Sequence, residues 1–308
     1  MSFTIPKEIY SGKIKEMSVG NGDKSVKVGG ESTFPFLTFE GEIPNIPRIA
    51  VEITDVYPED WADPLKSVYG DIMKDVSGWA KYVEEKIKPD MLALRLIGTH
   101  PDRQNRSAIE AADTVKKVVD AINIPLIILG SNHVEKDTEI IQKCAEAAKG
   151  KSAIIGKAQE ANYKTFAAAA TSCGHSIIAL SDLDINLAKQ LNILLTQSGF
   201  PAEKIFMDTM SSALGYGMEY TFSVIERIKI AALMQNDTMM QMPIVNDVGI
   251  EAWKVKESKD TTTEVPMGVM WEAITSMSFL SAGGDMLIMR HPEAVNIIRK
   301  TVNKLYIK

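Results

Sequence analysis

The chain has 308 residues, of which 45% are hydrophobic and 24% charged, and its formal net charge at pH 7 is −6. This composition is ordinary for a globular protein, and the negative charge argues against sequence-independent binding of nucleic acid, which needs a basic surface. No stretch approaches the roughly 18 apolar residues of a membrane span, and the first residues lack the pattern of a signal peptide. We therefore expect a cytoplasmic protein that binds neither membranes nor nucleic acid.

Cysteine and histidine usage limits the metal chemistry. The two cysteines, Cys144 and Cys173, are far apart in sequence, and neither belongs to a C-x-x-C pair. A four-cysteine zinc or iron–sulfur site is therefore excluded within this chain. The four histidines are scattered without metal-binding spacing, so we expect no metal ligands among its residues.

The first 46 residues are rich in Gly, Lys and Ser and differ from the rest of the chain. Asn21-Gly22 stands between two β-like runs, which is a strong signal for a β-hairpin. We therefore predict a short N-terminal hairpin extension over residues 1–46, followed by one domain over residues 47–308.

From residue 47 onward, short apolar strands alternate with helices. In the first strand, Ile49, Val51 and Ile53 alternate with Ala50, Glu52 and Thr54, the period-two pattern of a strand. Eight strands are predicted, over residues 49–54, 92–97, 126–129, 152–156, 176–180, 205–207, 244–245 and 286–289. Helices are predicted within 66–88 and over 108–122, 138–148, 163–173, 219–234, 267–282 and 293–305, with another beginning at Asp182.

Eight strand–helix units in about 260 residues predict a closed α/β barrel, the (β/α)8 or TIM barrel. A doubly wound open sheet is the alternative, but such folds usually carry a glycine-rich turn after the first strand. Here the residues after that strand, Asp55 to Trp61, contain no glycine.

The binding surface of such a barrel lies where the strands end. Polar residues at these ends also cap the following helices, and we expect Asp182 to be such a cap. The candidate ligand-contacting residues are those at or just after the predicted strand ends: Thr54, Asp55, Ser131, Asn132, Asp182, Asp208, Thr209, Asn246 and Asp247.

No catalytic residue emerges from these strand ends. Lys157 is the one lysine at a predicted strand end, and an aldolase would need it desolvated and uncharged. The glycines of a phosphate cup are missing after the last two strands.

Three connections are longer than a strand–helix joint needs, 56–65, 210–217 and 249–266, and such loops are usually functional. Trp253, in the last of them, either contacts a partner or packs within its own loop.

Residues 34–55, from Phe-Pro-Phe-Leu-Thr-Phe to Ala-Val-Glu-Ile-Thr-Asp, carry a family resemblance. They resemble the segment that opens the barrel in the corrinoid iron–sulfur protein of the reductive acetyl-CoA pathway, and the whole chain resembles its small subunit. The resemblance implies a heterodimer whose large subunit carries a [4Fe–4S] cluster and most of a cobalamin site near the interface. It implies a methyl carrier between a methyltetrahydrofolate methyltransferase and acetyl-CoA synthase. Thr54 and Asp55 become the first candidates to face the corrinoid.

The barrel is also similar to pterin-dependent methyltransferases, which hold the pterin with Asp and Asn side chains at strand ends. Asp208 and Asn246 stand at matching positions, whereas the second strand offers Arg95 and no acid. An unpaired buried polar group costs about 1–3 kcal/mol, so losing that acid weakens a pterin site. We therefore favour a non-catalytic methyl-carrier subunit, with a pterin-dependent methyltransferase as the alternative.

Overall fold

The computed structural model describes residues 4–306. Its N-terminal part contains a two-stranded antiparallel hairpin, β1 Met17–Val19 and β2 Val26–Val28, which confirms the predicted extension. The connection is a six-residue loop with a 3-10 turn rather than a two-residue Asn-Gly turn. Asn21 instead accepts a hydrogen bond from Ser152 Oγ at 2.7 Å and so ties the hairpin to the barrel.

The remaining strands form a closed parallel barrel, in which each strand pairs with the next and the last pairs with the first. This confirms the predicted TIM barrel. Its strands are β3 Arg48–Thr54, β4 Met91–Arg95, β5 Leu126–Leu129, β6 Ile154–Ala158, β7 Ser176–Leu180, β8 Ile205–Asp208, β9 Ile244–Asp247 and β10 Met286–Met289. Strand β6 has the predicted length but begins and ends two residues later, so Lys157 lies inside the strand rather than after it.

Helices surround the barrel and bury their apolar faces against it. They are α1 Asp63–Tyr69, α2 Val76–Tyr82, α3 Ala108–Ala121, α4 Val134–Ala147, α5 Tyr163–Cys173, α6 Ile185–Gln197, α7 Met218–Leu233, α8 Val248–Ala252, α9 Met267–Ala282 and α10 Pro292–Tyr306. The capping box at the start of α3 forms between Ser107 and Glu110, as its sequence spacing predicts. None of the helices among residues 4–306 is both long and apolar enough to span a membrane.

A helix lies within residues 66–88 as predicted, and this is α2; it is separate from α1, because Gly70 adopts a φ of +59° after α1 and Asp75 caps the new helix. One local prediction was wrong. Asp182 does not cap α6; the cap is Asp184, whose side chain accepts hydrogen bonds from the N–H groups of Asn186 and Leu187. Asp182 and Leu183 both adopt positive φ angles, 44° and 64°, which delays the start of the helix.

The N-terminal extension packs on the amino-terminal end of the barrel. Ile14 and Met17 belong to the same buried core as the barrel strands. Glu31 forms an ion pair with Lys229 of α7, which also contacts Asp285 at 2.9 Å just before β10. The proposed boundary between residues 46 and 47 stays a prediction, while these contacts show that the extension covers the barrel floor.

Candidate functional site

Six ionic side chains meet at the carboxyl ends of the barrel strands, and we call this set the mouth cluster. Each comes from a different strand or strand end, so barrel closure is what assembles them. The most exposed is Lys157, at 10%. The members are Glu52, Arg95, Lys157, Asp208, Asp247 and Arg290.

The mouth cluster is a chain of ion pairs. Arg95 Nη2 lies 2.8 Å from Glu52 Oε2 and 2.6 Å from Asp247 Oδ2. Lys157 Nζ lies 2.7 Å from the same Asp247 oxygen and 2.8 Å from Asp208 Oδ2. Arg290 closes the other end at 2.6 Å from Glu52 Oε1. Every charge therefore has an opposite partner, which a buried ion requires.

These contacts set the protonation states. Burial lowers the pKa of Lys157, but the carboxylates of Asp208 and Asp247 outweigh it and raise the pKa overall. Lys157 is therefore an ammonium at neutral pH and not the free amine that an aldolase would need. Burial also opposes ionisation of Asp247, yet Arg95 and Lys157 hold its pKa below the ordinary range. Burial dominates at Asp208 and raises its pKa.

Three buried atoms of the mouth cluster have no hydrogen-bond partner among residues 4–306: Arg95 Nη1, Asp208 Oδ2 and Asp247 Oδ1. Asp208 Oδ2 is ion-paired with Lys157 Nζ at 2.8 Å, so Arg95 Nη1 and Asp247 Oδ1 are the donor and the acceptor with unused hydrogen-bonding capacity. Buried polar atoms in native structures are almost always paired. One donor and one acceptor are thus left open at the end of the barrel where TIM barrels bind ligands.

Two cavities open at this end. The first has a volume of about 550 Å³, and Arg95 and Arg290 line it together with Trp61 and Trp253. The second has a volume of about 220 Å³, and Lys157 and Asp247 line it. Both are bordered by Asn132 and Ile250, so the open donor and the open acceptor belong to residues lining two adjoining cavities.

The long loop after β9 is fixed by one buried carboxylate. Trp253 is 3% exposed, and its Nε1–H donates to Glu272 Oε2 at 2.9 Å. The Glu272 carboxylate also accepts from the N–H groups of Arg290 at 2.5 Å and His291 at 3.0 Å. Trp253 therefore packs against α9 and His291, anchors its loop there and helps form the wall of the larger cavity.

Several predicted site residues are engaged in their own loops. Thr54 Oγ1 donates to the Val56 carbonyl, and Asp55 accepts from the Gly98 N–H at 2.9 Å and from Arg106 at 3.1 Å. Ser131 and Asn132 donate their backbone N–H groups to Asp137, at 2.7 and 3.1 Å. Of these four predicted residues, Ser131 and Asn132 also line the larger cavity, and corrinoid contact by Thr54 and Asp55 stays a prediction.

Three of the other predicted residues lie at the mouth: Asp208 and Asp247 belong to the mouth cluster, and Asp182 lines the smaller cavity. The remaining two, Thr209 and Asn246, do not belong to the mouth cluster. Thr209 is fully buried. Side chains alternate along a strand, so Asn246 points away from the mouth cluster; its Nδ2 lies 3.5 Å from Ser211 Oγ.

Sequence reasoning missed the full extent of the cluster. Glu52 was not selected because its strand shows the alternation of a half-exposed strand, whereas a barrel strand is buried on both faces. Arg95 was considered only because it stands where a pterin site would need an acid, and Lys157 was considered only as an aldolase lysine. One signal in the sequence could have found the cluster: basic residues stand at the ends of three predicted strands, and acidic residues stand at the ends of other strands.

The fold and the mouth cluster define a TIM-barrel protein with a polar candidate site at the carboxyl ends of its strands. The chain belongs to the CO dehydrogenase/acetyl-CoA synthase delta subunit family, whose model matches residues 16–305. This confirms the resemblance to the small subunit of the corrinoid iron–sulfur protein.

Curated relatives support the same family. The acetyl-CoA decarbonylase/synthase complex subunit delta of Archaeoglobus fulgidus is 34% identical, with 97% of this chain and 70% of the relative covered. The subunit of that name from Methanothermobacter thermautotrophicus is 32% identical, with 97% and 77% covered. These relatives are named as subunits of a complex.

Solved structures agree on the fold alone. A Xanthomonas albilineans dihydropteroate synthase with 4-aminobenzoic acid has a TM-score of 0.59 at 11% identity, covering 85% of this chain and 94% of that one. A Yersinia pestis dihydropteroate synthase in a sulfonamide complex has a TM-score of 0.59 at 12% identity, covering 86% and 95%. The pterin-dependent alternative is not favoured, because Arg95 is ion-paired where an acid was needed and Asn246 points away.

Proposed function

We propose that this chain is the small subunit of a heterodimeric corrinoid methyl carrier and helps enclose cobalamin at the interface with a larger subunit. Membership of the delta subunit family supports this assignment. The observation that supports it best is the buried mouth cluster, whose charges are balanced and in which Arg95 Nη1 and Asp247 Oδ1 have no hydrogen-bond partner. Such a cluster can bind a polar ligand.

The residues at the mouth fit an amide-bearing corrinoid. Corrinoids carry carboxamide groups around the ring, and a carboxamide has both a donor and an acceptor. The unpaired Arg95 Nη1 and Asp247 Oδ1 offer the complementary pair, and Asn132 lies at the border of both cavities. When bound, the cofactor would supply the metal that carries the methyl group.

The protein's own groups hold and shield the ligand. Asp208 and Asp247 keep Lys157 protonated, and Arg95 and Lys157 keep Asp247 ionised, so both Lys157 and Asp247 bind rather than transfer protons at neutral pH. Trp61 packs under the Arg290 guanidinium, 4.7 Å from its ring centroid to Cζ, and fixes the cavity wall. The mouth thus keeps one shape while a ligand is enclosed.

The iron–sulfur chemistry belongs to the larger subunit in this proposal. Cys144 and Cys173 are both buried. Burial raises the pKa of the Cys144 thiol to about 12, and metal ligation needs the thiolate. Among residues 4–306, no three His, Cys, Asp or Glu side chains are arranged to hold a metal ion. The proposed partners are the large corrinoid iron–sulfur subunit, a methyltetrahydrofolate methyltransferase and acetyl-CoA synthase, in the cytoplasm.

Expression of the chain with and without the larger subunit tests this function. The purified complex should retain corrinoid, seen in its visible spectrum, and the chain alone should hold little corrinoid and no iron. Stoichiometric corrinoid on the chain alone would contradict a shared site. A complex that assembles but retains no corrinoid after reconstitution would contradict the function itself.

A further inference from the structure

The unpaired atoms of Arg95 and Asp247 belong to one ion pair. Arg95 Nη2 and Asp247 Oδ2 lie 2.6 Å apart, which leaves Nη1 of the first and Oδ1 of the second without partners among the described residues. Arg95 is 1% exposed and lines the larger cavity, and Asp247 is 1% exposed and lines the smaller one. The pair therefore retains one unpaired donor and one unpaired acceptor, on residues that line adjoining cavities.

The charge balance around this pair restricts what can occupy it. The mouth cluster contains three carboxyl groups and three cations, each already opposite a partner. A ligand carboxylate at the Asp247 side would meet a like charge, and a ligand ammonium at the Arg95 side would do the same. A neutral group that both accepts and donates satisfies both atoms without adding charge.

We propose that Arg95 and Asp247 recognise carboxamide groups of the bound ligand, with Arg95 Nη1 donating to an amide carbonyl and Asp247 Oδ1 accepting from an amide N–H. This rests on the proposed function, because it takes the amides to be those at the edge of the corrinoid ring. It assigns Asp247 a specific task, which is to distinguish amide side chains from acid side chains, because a carboxylate has no N–H to donate and would meet a like charge.

Monocarboxylic acid derivatives of cobalamin, each with one ring amide replaced by a carboxylate, test the proposal. The assembled complex should bind at least one derivative about tenfold more weakly than cobalamin, the equivalent of losing one buried hydrogen bond. Dissociation constants come from spectral titration. Equal affinity for cobalamin and every derivative would overturn the inference while leaving the corrinoid function intact. No binding of any corrinoid by the complex would instead overturn the function.

The substitution Asp247→Asn locates the discrimination. It removes a negative charge and provides an N–H donor, so the variant complex should bind the disfavoured derivative as well as cobalamin or better. The matched control is Asp285→Asn, which changes a buried, ion-paired aspartate at the opposite end of the barrel. The control should keep the tenfold preference. The same preference in Asp247→Asn would contradict the assignment to Asp247, and the measurement on unmodified protein stands even if that variant fails to fold.

Discussion

The two ends of the barrel carry the same kind of chemistry but are completed differently. At the floor, Glu31, Lys229 and Asp285 form a buried cluster, which we call the floor cluster. No buried side-chain atom of this cluster lacks a partner within residues 4–306, and the adjoining cavity has a volume of only about 30 Å³. At the mouth, two atoms are open and the larger cavity has about 550 Å³.

The difference lies in what covers each end. The N-terminal extension brings Glu31 to Lys229, and the Ile244 N–H donates to Asp285 Oδ2 at 2.7 Å, so the floor is sealed by the chain itself. Burial and the neighbouring Glu31 charge raise the pKa of Asp285 well above its ordinary range, which brings the floor cluster close to charge balance. We infer that the floor cluster stabilises the fold, and the mouth cluster differs from it in leaving Arg95 Nη1 and Asp247 Oδ1 unpaired.

The largest expected effect is at the floor. Lys229→Met leaves two carboxyl groups buried together and should lower the free energy of unfolding by about 3–5 kcal/mol. Denaturation in urea measures this, and corrinoid retention by the assembled complex should not change. The matched control, Lys15→Met, breaks a more exposed pair with Glu203 at 3.3 Å and should cost at most about 1 kcal/mol. Equal losses for the two variants would show that the floor cluster is not a stability element.

The corresponding change at the mouth should have a smaller effect on stability and a larger one on binding. Arg95→Met leaves Arg290 to compensate Glu52 and Lys157 to compensate Asp247, so we expect a loss of about 2–3 kcal/mol. Corrinoid retention by the complex should fall sharply. Arg48→Met, which breaks the pair with Asp90 at the other end of the barrel, is the control and should retain corrinoid. Equal retention by both variants would remove Arg95 from the site.

The barrel could be predicted from sequence because its signals are local. Continuous apolar runs such as Leu126–Leu129 indicate a strand buried on both faces, whichever strands lie beside it. The mouth cluster is not local. Arg95 pairs with Glu52, 43 positions away, and with Asp247, 152 positions away, and only closure of the barrel brings them together.

Lys157 shows why the first charged residue after an apolar run is an unreliable marker of where a strand ends. A lysine after Ile154, Ile155 and Gly156 indicates that the strand has ended, because an isolated buried ammonium is too costly. In the structure β6 continues through it, since Asp208 and Asp247 compensate the charge. A prediction from one segment could not include compensation supplied by two distant strands.

Stability should also depend on pH through Glu272, which anchors Trp253. Burial raises the pKa of Glu272 from 4.5 to about 7, although three N–H groups donate to its carboxylate. Because the folded pKa lies above the unfolded one, the native state binds the extra proton between these values. Its contribution to stability therefore falls as the pH rises from about 4.5 to 7, by at most about 1.4 kcal/mol per pH unit.

The variant Glu272→Gln isolates this dependence. Its stability relative to the unmodified protein should rise between pH 4.5 and 7 and level off above pH 7, as measured by denaturation at each pH. Burial lowers the pKa of His291 to about 4, which has the opposite dependence but is shared by both proteins. Glu257→Gln is the control, since the pKa of Glu257 is lowered and it does not titrate in this window. A pH-independent difference for Glu272→Gln would contradict the assigned pKa.

The smallest expected effect distinguishes two neighbouring aspartates before α6. Asp184→Ala removes the side chain that accepts from the N–H groups of Asn186, at 2.7 Å, and Leu187, at 3.1 Å, and should cost about 1 kcal/mol. Asp182→Asn should be nearly neutral, because Asn tolerates the positive φ of 44° at this position and the helix cap is untouched. Thermal denaturation of both variants measures the difference. A larger loss for Asp182→Asn would mean that this side chain, which lines the smaller mouth cavity, supports the fold rather than being free to face a ligand.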